Sequence, residues 1–327
     1  MRFLCAALAV TMLFAAPLDL HAQPPTRVPV IGYFGNTTPQ MEASLLAGFR
    51  QGLREKGYVE GQHFVLQFRW AAGEMEPMPA LAAELVRLKP DVIVVAGTPA
   101  TMAVKRATST IPIVIATSGD AVGAGLVASL SRPGGNVTGL STLYPELEGK
   151  RLSILRQAVP KARRIAVLMN PANPFVPLAW KAAREAAAAA RVVAEPAEVR
   201  TVADFDGVFA AIAKAKPDAL VVLADRPFLF SHRARIVAFA AQQRLPAIYP
   251  FPEFANLGGL LVFGPDFADM FRRSATYVDK ILKGARPADL PVEQPLKFDL
   301  LLNMKTAKTL GLAIPPSLML SADRIIE

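Results

Sequence analysis

The sequence predicts an α/β fold of two doubly wound, Rossmann-like lobes joined by three crossing segments. Three observations carry that prediction. One phrase is written twice, as "KPDVIVVAGTPA" from Lys89 to Ala100 and as "KPDALVVLADRP" from Lys216 to Pro227. Two further apolar runs are answered in the second half at a constant spacing of 134 residues: "IGYFGN" (Ile31 to Asn36) by "IAVLMN" (Ile165 to Asn170), and "IPIVIA" (Ile111 to Ala116) by "LPAIYP" (Leu245 to Pro250). Between these runs stand segments of helical periodicity, and strand, helix, strand in this rhythm means parallel sheets covered on both faces.

The chain opens with Met1-Arg2 and the apolar stretch "FLCAALAVTMLFAA", which is short for a bilayer span, followed by "LHA" at Leu20 to Ala22. That is the layout of an export signal with cleavage expected after Ala22, so the expected address is the periplasm. The only cysteine, Cys5, lies inside that segment, which excludes a disulfide, a thiolate nucleophile and a cysteine metal site from the mature chain. The remaining composition, 52% hydrophobic over 327 residues, calls for a packed core in two lobes. The formal charge of +9 comes from Lys and Arg spread along the chain rather than gathered in a patch, so no nucleic-acid partner is expected. A monomer without cofactor or metal is expected.

After the first apolar run, Pro39 to Lys56 sets Met41, Leu45, Leu46, Phe49 and Leu53 at helical spacing. "KAAREAAAAAR" (Lys181 to Arg191) is rich in the best helix former, and Ile236 to Gln243 and Met270 to Leu282 continue the alternation. Three segments fall where the chain should pass between lobes: "SRPGGNVTGLS" (Ser131 to Ser141), "GGLLVFGPD" (Gly258 to Asp266) and "LPVEQP" (Leu290 to Pro295). The passages are expected at Thr138 to Leu140, Val262 to Gly264 and Val292 to Glu293. They give a first lobe of 28–140 plus 264–291 and a second of 141–263 plus 292–327. Three connections make a hinge, so closure around a ligand is expected.

Ligands of such sheets bind beyond the carboxyl ends of the strands. Thr38-Pro39, Thr98-Pro99 and Asn173-Pro174 each pair a capping side chain with Pro at a helix start, a combination that turns positive helix ends towards the cleft. The unshared endings of the repeated phrase therefore divide the work. The Gly97-Thr98-Pro99 loop is expected to receive a ligand carboxylate and Asp225 an ammonium, while Asp120 follows an equivalent strand. Arg226 admits two readings, a carboxylate partner or a solvated side chain. Asn36 and Asn170 end equivalent strands, Phe34, Tyr249 and Phe251 offer rings for stacking, and Ala100, Ser118, Asn173, Glu253 and Gly264 complete the expected contacts. A cleft enzyme using Glu253 and Asp266 is the weaker alternative, since no HExxH, nucleophile elbow or P-loop accompanies them.

Seven stretches, in order from about Val28 to the end, resemble a known family. They are "GLREKGYVEGQ", "LAAELVRLKPDVIVVAGTPA", "TSTIPIVIATSGDAVGAGLVASLSRPGGNVTGLS", "RIAVLMNPANP", "HRARIVAFAAQQRLPAIY", "YVDKILKGARPADLPVEQP" and "LNMKTAKTLGLAIPPSL". The resemblance is to the type I periplasmic binding proteins, in the ABC-transporter substrate-binding branch that includes tryptophan- and tyrosine-transport proteins. It implies an exported protein that hands a small solute to an ABC permease; a ligand-sensing module for a membrane receptor has the same fold and stays open. One departure is Ala121, where the family pattern has Pro.

Overall fold

The computed structural model describes residues 27–327, so the expected export segment and cleavage point lie outside the described residues. The first half reads β1 (Val30–Gly35), α1 (Ala43–Glu55), β2 (Val65–Trp70), α2 (Met78–Arg87), β3 (Val92–Ala96), α3 (Thr98–Ala107), β4 (Ile113–Thr117) and β5 (Val137–Gly139). After α4 (Tyr144–Ala158) come β6 (Arg164–Met169), α5 (Val176–Ala189), β7 (Val193–Glu198), α6 (Asp204–Ala215), β8 (Ala219–Val222), α7 (Arg233–Gln242), β9 (Ala247–Tyr249) and β10 (Leu261–Pro265). The chain closes with α8 (Phe267–Leu282), β11 (Phe298–Asn303), α9 (Met304–Leu310), α10 (Pro316–Leu320) and β12 (Arg324–Ile326).

Two sheets result, in the orders β2-β1-β3-β4-β5 and β12-β11-β10-β9-β8-β6-β7. The first five strands and β6 to β10 repeat one arrangement, parallel throughout, and only β10 with β11 runs antiparallel. The matched phrases are β1 with β6, β3 with β8 and β4 with β9, in equivalent places. Every residue of β3 and β8 is buried, which is why both read as unbroken apolar runs: a central parallel strand is covered on both faces.

The chain first leaves the five-stranded sheet at Gly139 and enters α4 through Leu143, whose φ of 48° puts it in the left-handed region. The second passage falls later than expected. Gly264 and Pro265 remain inside the seven-stranded sheet, paired with Asp299 and Phe298, so the turn back comes at Asp266. Asp266 caps α8 by accepting from the Asp269 N–H at 2.9 Å. α8 then lies along α1 in the first lobe, where a β-carbon on Gly52 would stand 2.0 Å from the Arg272 carbonyl. Only glycine allows two helix backbones that close. The third passage is tied to the first by Glu293 N–H to Gly139 O at 3.0 Å and Ser141 N–H to Glu293 O at 2.9 Å. Tyr277 adds a hydroxyl bond to Pro291 O, and Arg273 pairs with Glu293.

All three expected helix starts are corrected. α1 begins at Ala43, not beside Thr38-Pro39, because the Glu42 carboxylate turns inwards. It accepts from the Thr37 N–H and hydroxyl at 2.9 and 3.1 Å and from the Tyr33 hydroxyl at 2.9 Å. α5 begins at Val176, three residues past Asn173, whose side chain is committed elsewhere. Thr98 is the first residue of α3 behind Gly97, not its cap; its hydroxyl accepts from the Gly119 N–H at 3.0 Å.

Candidate functional site

The strand ends of the two lobes line a narrow cleft between them, with room of about 30 Å³ in this structure. From the first lobe Asn36 closes β1, Gly97 to Pro99 follow β3, and Thr117 to Gly119 follow β4. From the second, Asn173 and Phe175 follow β6, Ala224 and Arg226 follow β8, and Phe251 follows β9. Tyr144 and Phe267, the first residues of the helices that succeed the first two passages, supply two further walls. The lobes touch across this space. A β-carbon on Gly119 would lie 2.4 Å from the Phe175 ring, and Arg233 Nη1 stands 3.8 Å from the Met41 sulfur.

The wall is polar in an unusual way. Among the described residues, nine buried side-chain nitrogen or oxygen atoms have no hydrogen-bond partner. Six of the nine belong to four residues of this wall: Asn36 Oδ1 and Nδ2, Ser118 Oγ, Asn173 Oδ1, and Arg226 Nε and Nη1. An unpaired buried polar group costs about 1–3 kcal/mol, so six converging atoms are a set of donors and acceptors offered to an occupant.

Arg226 is 5% exposed and lies over three rings, with its guanidinium carbon 4.3 Å from the centre of Phe230, 4.7 Å from Phe251 and 5.1 Å from Phe267. Its Nη2 donates to Glu253 Oε1 at 3.2 Å, which leaves two nitrogens for the cavity. The aromatic box fixes the plane of the cation and the carboxylate offsets part of its charge.

Asp225 plays a different part from the one its position suggests. It is buried; Oδ1 accepts from Asn173 Nδ2 at 2.7 Å, and Oδ2 accepts from Asn170 Nδ2 at 3.0 Å and from the Leu229 N–H at 3.1 Å. Burial pushes its carboxyl above the usual range, against the opposing pull of the two asparagine amides. With both oxygens occupied it lies off the cavity wall. What it does is orient Asn173: the amide nitrogen must point at the carboxylate, so the amide oxygen faces the cavity. Beneath the same strand ends, the fully buried Arg151 of α4 donates to Val222 O at 2.7 Å and pairs with Glu148, whose carboxyl is pushed up by burial. That pair ties α4 to the ends of β8 and β9, which carry Arg226 and Phe251.

Of the residues picked out in the sequence, Asn36, Thr98, Pro99, Ser118 and Asn173 come together on the wall, with Phe251 and Arg226. Others do not. Phe34 and Ala100 are enclosed in the first lobe's packing, Tyr249 stacks on Phe254 at 4.7 Å, and Asn170 serves Asp225 and its own turn. Gly264 lies under the Pro250 carbonyl, and Asp120 Oδ1 accepts from the N–H groups of Val122 and Gly123 at 3.1 and 2.8 Å as a turn former. Glu253 reaches the site only through Arg226. Ala121, the departure from the family pattern, uses an N–H that Pro lacks to donate to Ser141 Oγ at 3.0 Å. Sequence reasoning passed over Tyr144, Phe175, Phe267 and Gly119. The signal for the first and third is their place, each an aromatic opening the helix after a passage.

Comparison with known proteins places this architecture. A family model described as ABC transporter substrate binding protein matches residues 38–326. A tyrosine-binding protein of Clostridioides difficile is 27% identical over 85% of this chain and 78% of its own length. A conserved domain protein of Vibrio cholerae superposes with a TM-score of 0.86 at 28% identity, covering 91% of this chain and 100% of that one. The ABC domain of Streptococcus pneumoniae, solved in complex with L-Trp, superposes with a TM-score of 0.85 at 26% identity, over 91% of this chain and 99% of that one. Two parallel-sheet lobes, the cavity between them and a family match over nearly the whole described chain make this a member of the ABC transporter substrate-binding protein family.

Proposed function

We propose that the protein is exported, captures an α-amino acid with an aromatic or branched apolar side chain between its lobes, and delivers it to an ABC permease. The observation that carries this reading is the sorting of the unpartnered groups. Among the lining groups are a cation, Arg226, and the Thr98 hydroxyl at the start of α3, whose proton is free because its oxygen accepts from Gly119. Both suit a carboxylate, as does a helix N-terminus. The wall also carries three unpartnered acceptors, Asn36 Oδ1, Ser118 Oγ and Asn173 Oδ1, a number that matches the three N–H groups of an ammonium. Tyr144, Phe175, Phe251 and Phe267 supply an apolar, flat-walled remainder. The reading keeps Thr98 as a carboxylate contact and moves the ammonium from Asp225 to neutral oxygens. That relatives include a tyrosine-binding protein and a domain solved with L-Trp supports the aromatic choice.

Calorimetric titration with L-tyrosine, L-tryptophan, L-phenylalanine and L-leucine, alongside glucose and ribose, tests it. The expected result is micromolar or tighter binding of at least one amino acid, with a melting temperature that climbs as its concentration rises. Stabilisation by the sugars alone would overturn the reading.

A further inference from the structure

We infer that the cavity takes the 2-hydroxy acids of the same side chains as a second ligand class. This rests on the amino-acid reading above and goes beyond it, because it follows from what surrounds the amine position rather than from the carboxylate or the ring. No Asp or Glu lines the cavity. Both oxygens of Asp225 are taken by Asn170, Asn173 and the Leu229 N–H. Glu253 lies off the wall with Oε1 on Arg226 and Oε2 unpartnered, and Asp120, also off the wall, has Oδ1 taken by its own turn. A site that meets an ammonium with a dedicated carboxylate rejects a hydroxyl, since the exchange strands a buried charge. Here the exchange leaves only neutral dipoles.

Those dipoles differ in freedom. Asn173 is locked as an acceptor by the 2.7 Å bond from its nitrogen to Asp225. Asn36 has neither amide atom bonded, so turning the amide over swaps an acceptor for a donor without breaking any contact. Ser118 Oγ is likewise unbonded, and a hydroxyl donates or accepts by rotation. The count then closes for both ligands. An ammonium donates to Asn36 Oδ1, Ser118 Oγ and Asn173 Oδ1. A hydroxyl donates to Asn173 Oδ1, the fixed acceptor, and accepts from Asn36 Nδ2 and Ser118 Oγ. The carboxylate end is the same in both.

The test compares L-phenylalanine and L-tyrosine with 3-phenyllactate and 3-(4-hydroxyphenyl)lactate of the same configuration, by calorimetry on the intact mature chain. The hydroxy acids are expected to bind within about a hundredfold of the amino acids, the scale of exchanging charged for neutral hydrogen bonds. A larger loss while the amino acids still bind overturns the inference and leaves the amino-acid reading standing. Failure of both classes overturns the two together. Asn36→Asp gives an independent check, because it installs the carboxylate that the wild-type wall lacks. The ratio of affinities should move towards the amino acid by at least about tenfold. An unchanged ratio, with melting curves showing a folded variant, also overturns the inference.

Discussion

The loops after β3 and β8 begin from the same phrase and end in opposite chemistry. In the first lobe one residue, Gly97, separates β3 from α3, so the loop can offer little beyond backbone, a hydroxyl and a helix start. In the second, ten residues separate Val222 from Arg233, enough to set Asp225 beneath two asparagines and Arg226 inside three rings. The difference teaches how one scaffold divides labour. The first lobe presents neutral, adaptable groups, while the second presents a charge whose surroundings hold it still.

The largest expected effect comes from the rigid side. Arg226→Gln removes the cation and strands Glu253, and should weaken amino-acid binding by about a hundredfold or more, roughly 3 kcal/mol. If titration shows wild-type affinity, the second lobe does not hold the carboxylate and the contrast fails. Next is the contact between lobes. Gly119→Ala would drive a β-carbon to within 2.4 Å of the Phe175 ring, so the variant should fold normally but resist closing. Affinity should fall roughly tenfold, about 1.4 kcal/mol. The ligand-induced drop in radius of gyration by small-angle scattering should shrink with it. A full drop would show that the lobes meet differently when ligand is bound.

The smallest effect concerns Asp225. Asp225→Asn keeps the shape but frees the Asn173 amide to turn over, and should cost only a few-fold in affinity, under about 1 kcal/mol. It sharpens the comparison through pH. Burial raises the folded-state carboxyl above its unfolded value of 3.8, so the folded chain holds its proton to higher pH than the unfolded chain does. Stability linked to this group is therefore full below the unfolded value and lost as pH rises through the folded one. Melting temperatures across the acid range should show the variant losing less than wild type over that rise. Parallel profiles would mean that burial does not raise the Asp225 carboxyl in the folded state.

Much of the architecture was legible because central parallel strands announce themselves: β3, β4 and β8 are buried end to end and apolar but for Thr117, the last residue of β4. Helix starts were less so. Thr38-Pro39 and Asn173-Pro174 have the composition of caps, but Glu42 draws the first into a turn and Asp225, 52 residues on, claims the second. The same limit governs the site. Arg226 can be suspected from its neighbour Phe230 four residues along, yet Phe251 and Phe267 reach it only through the fold. Asp225 was visible as a charge at a strand end; its direction was set by two asparagines that no local pattern connects to it.

The helix α8 carries one more consequence. It is made after the whole of β6 to β10, yet it packs on α1 at the start of the chain, with Gly52 pressed against the Arg272 carbonyl. A fragment ending at the first passage would lack this cover over the Gly48 and Gly52 face of α1. Neither half is then a self-sufficient folding unit. During synthesis the early lobe therefore lacks this cover until the ribosome has passed Leu282.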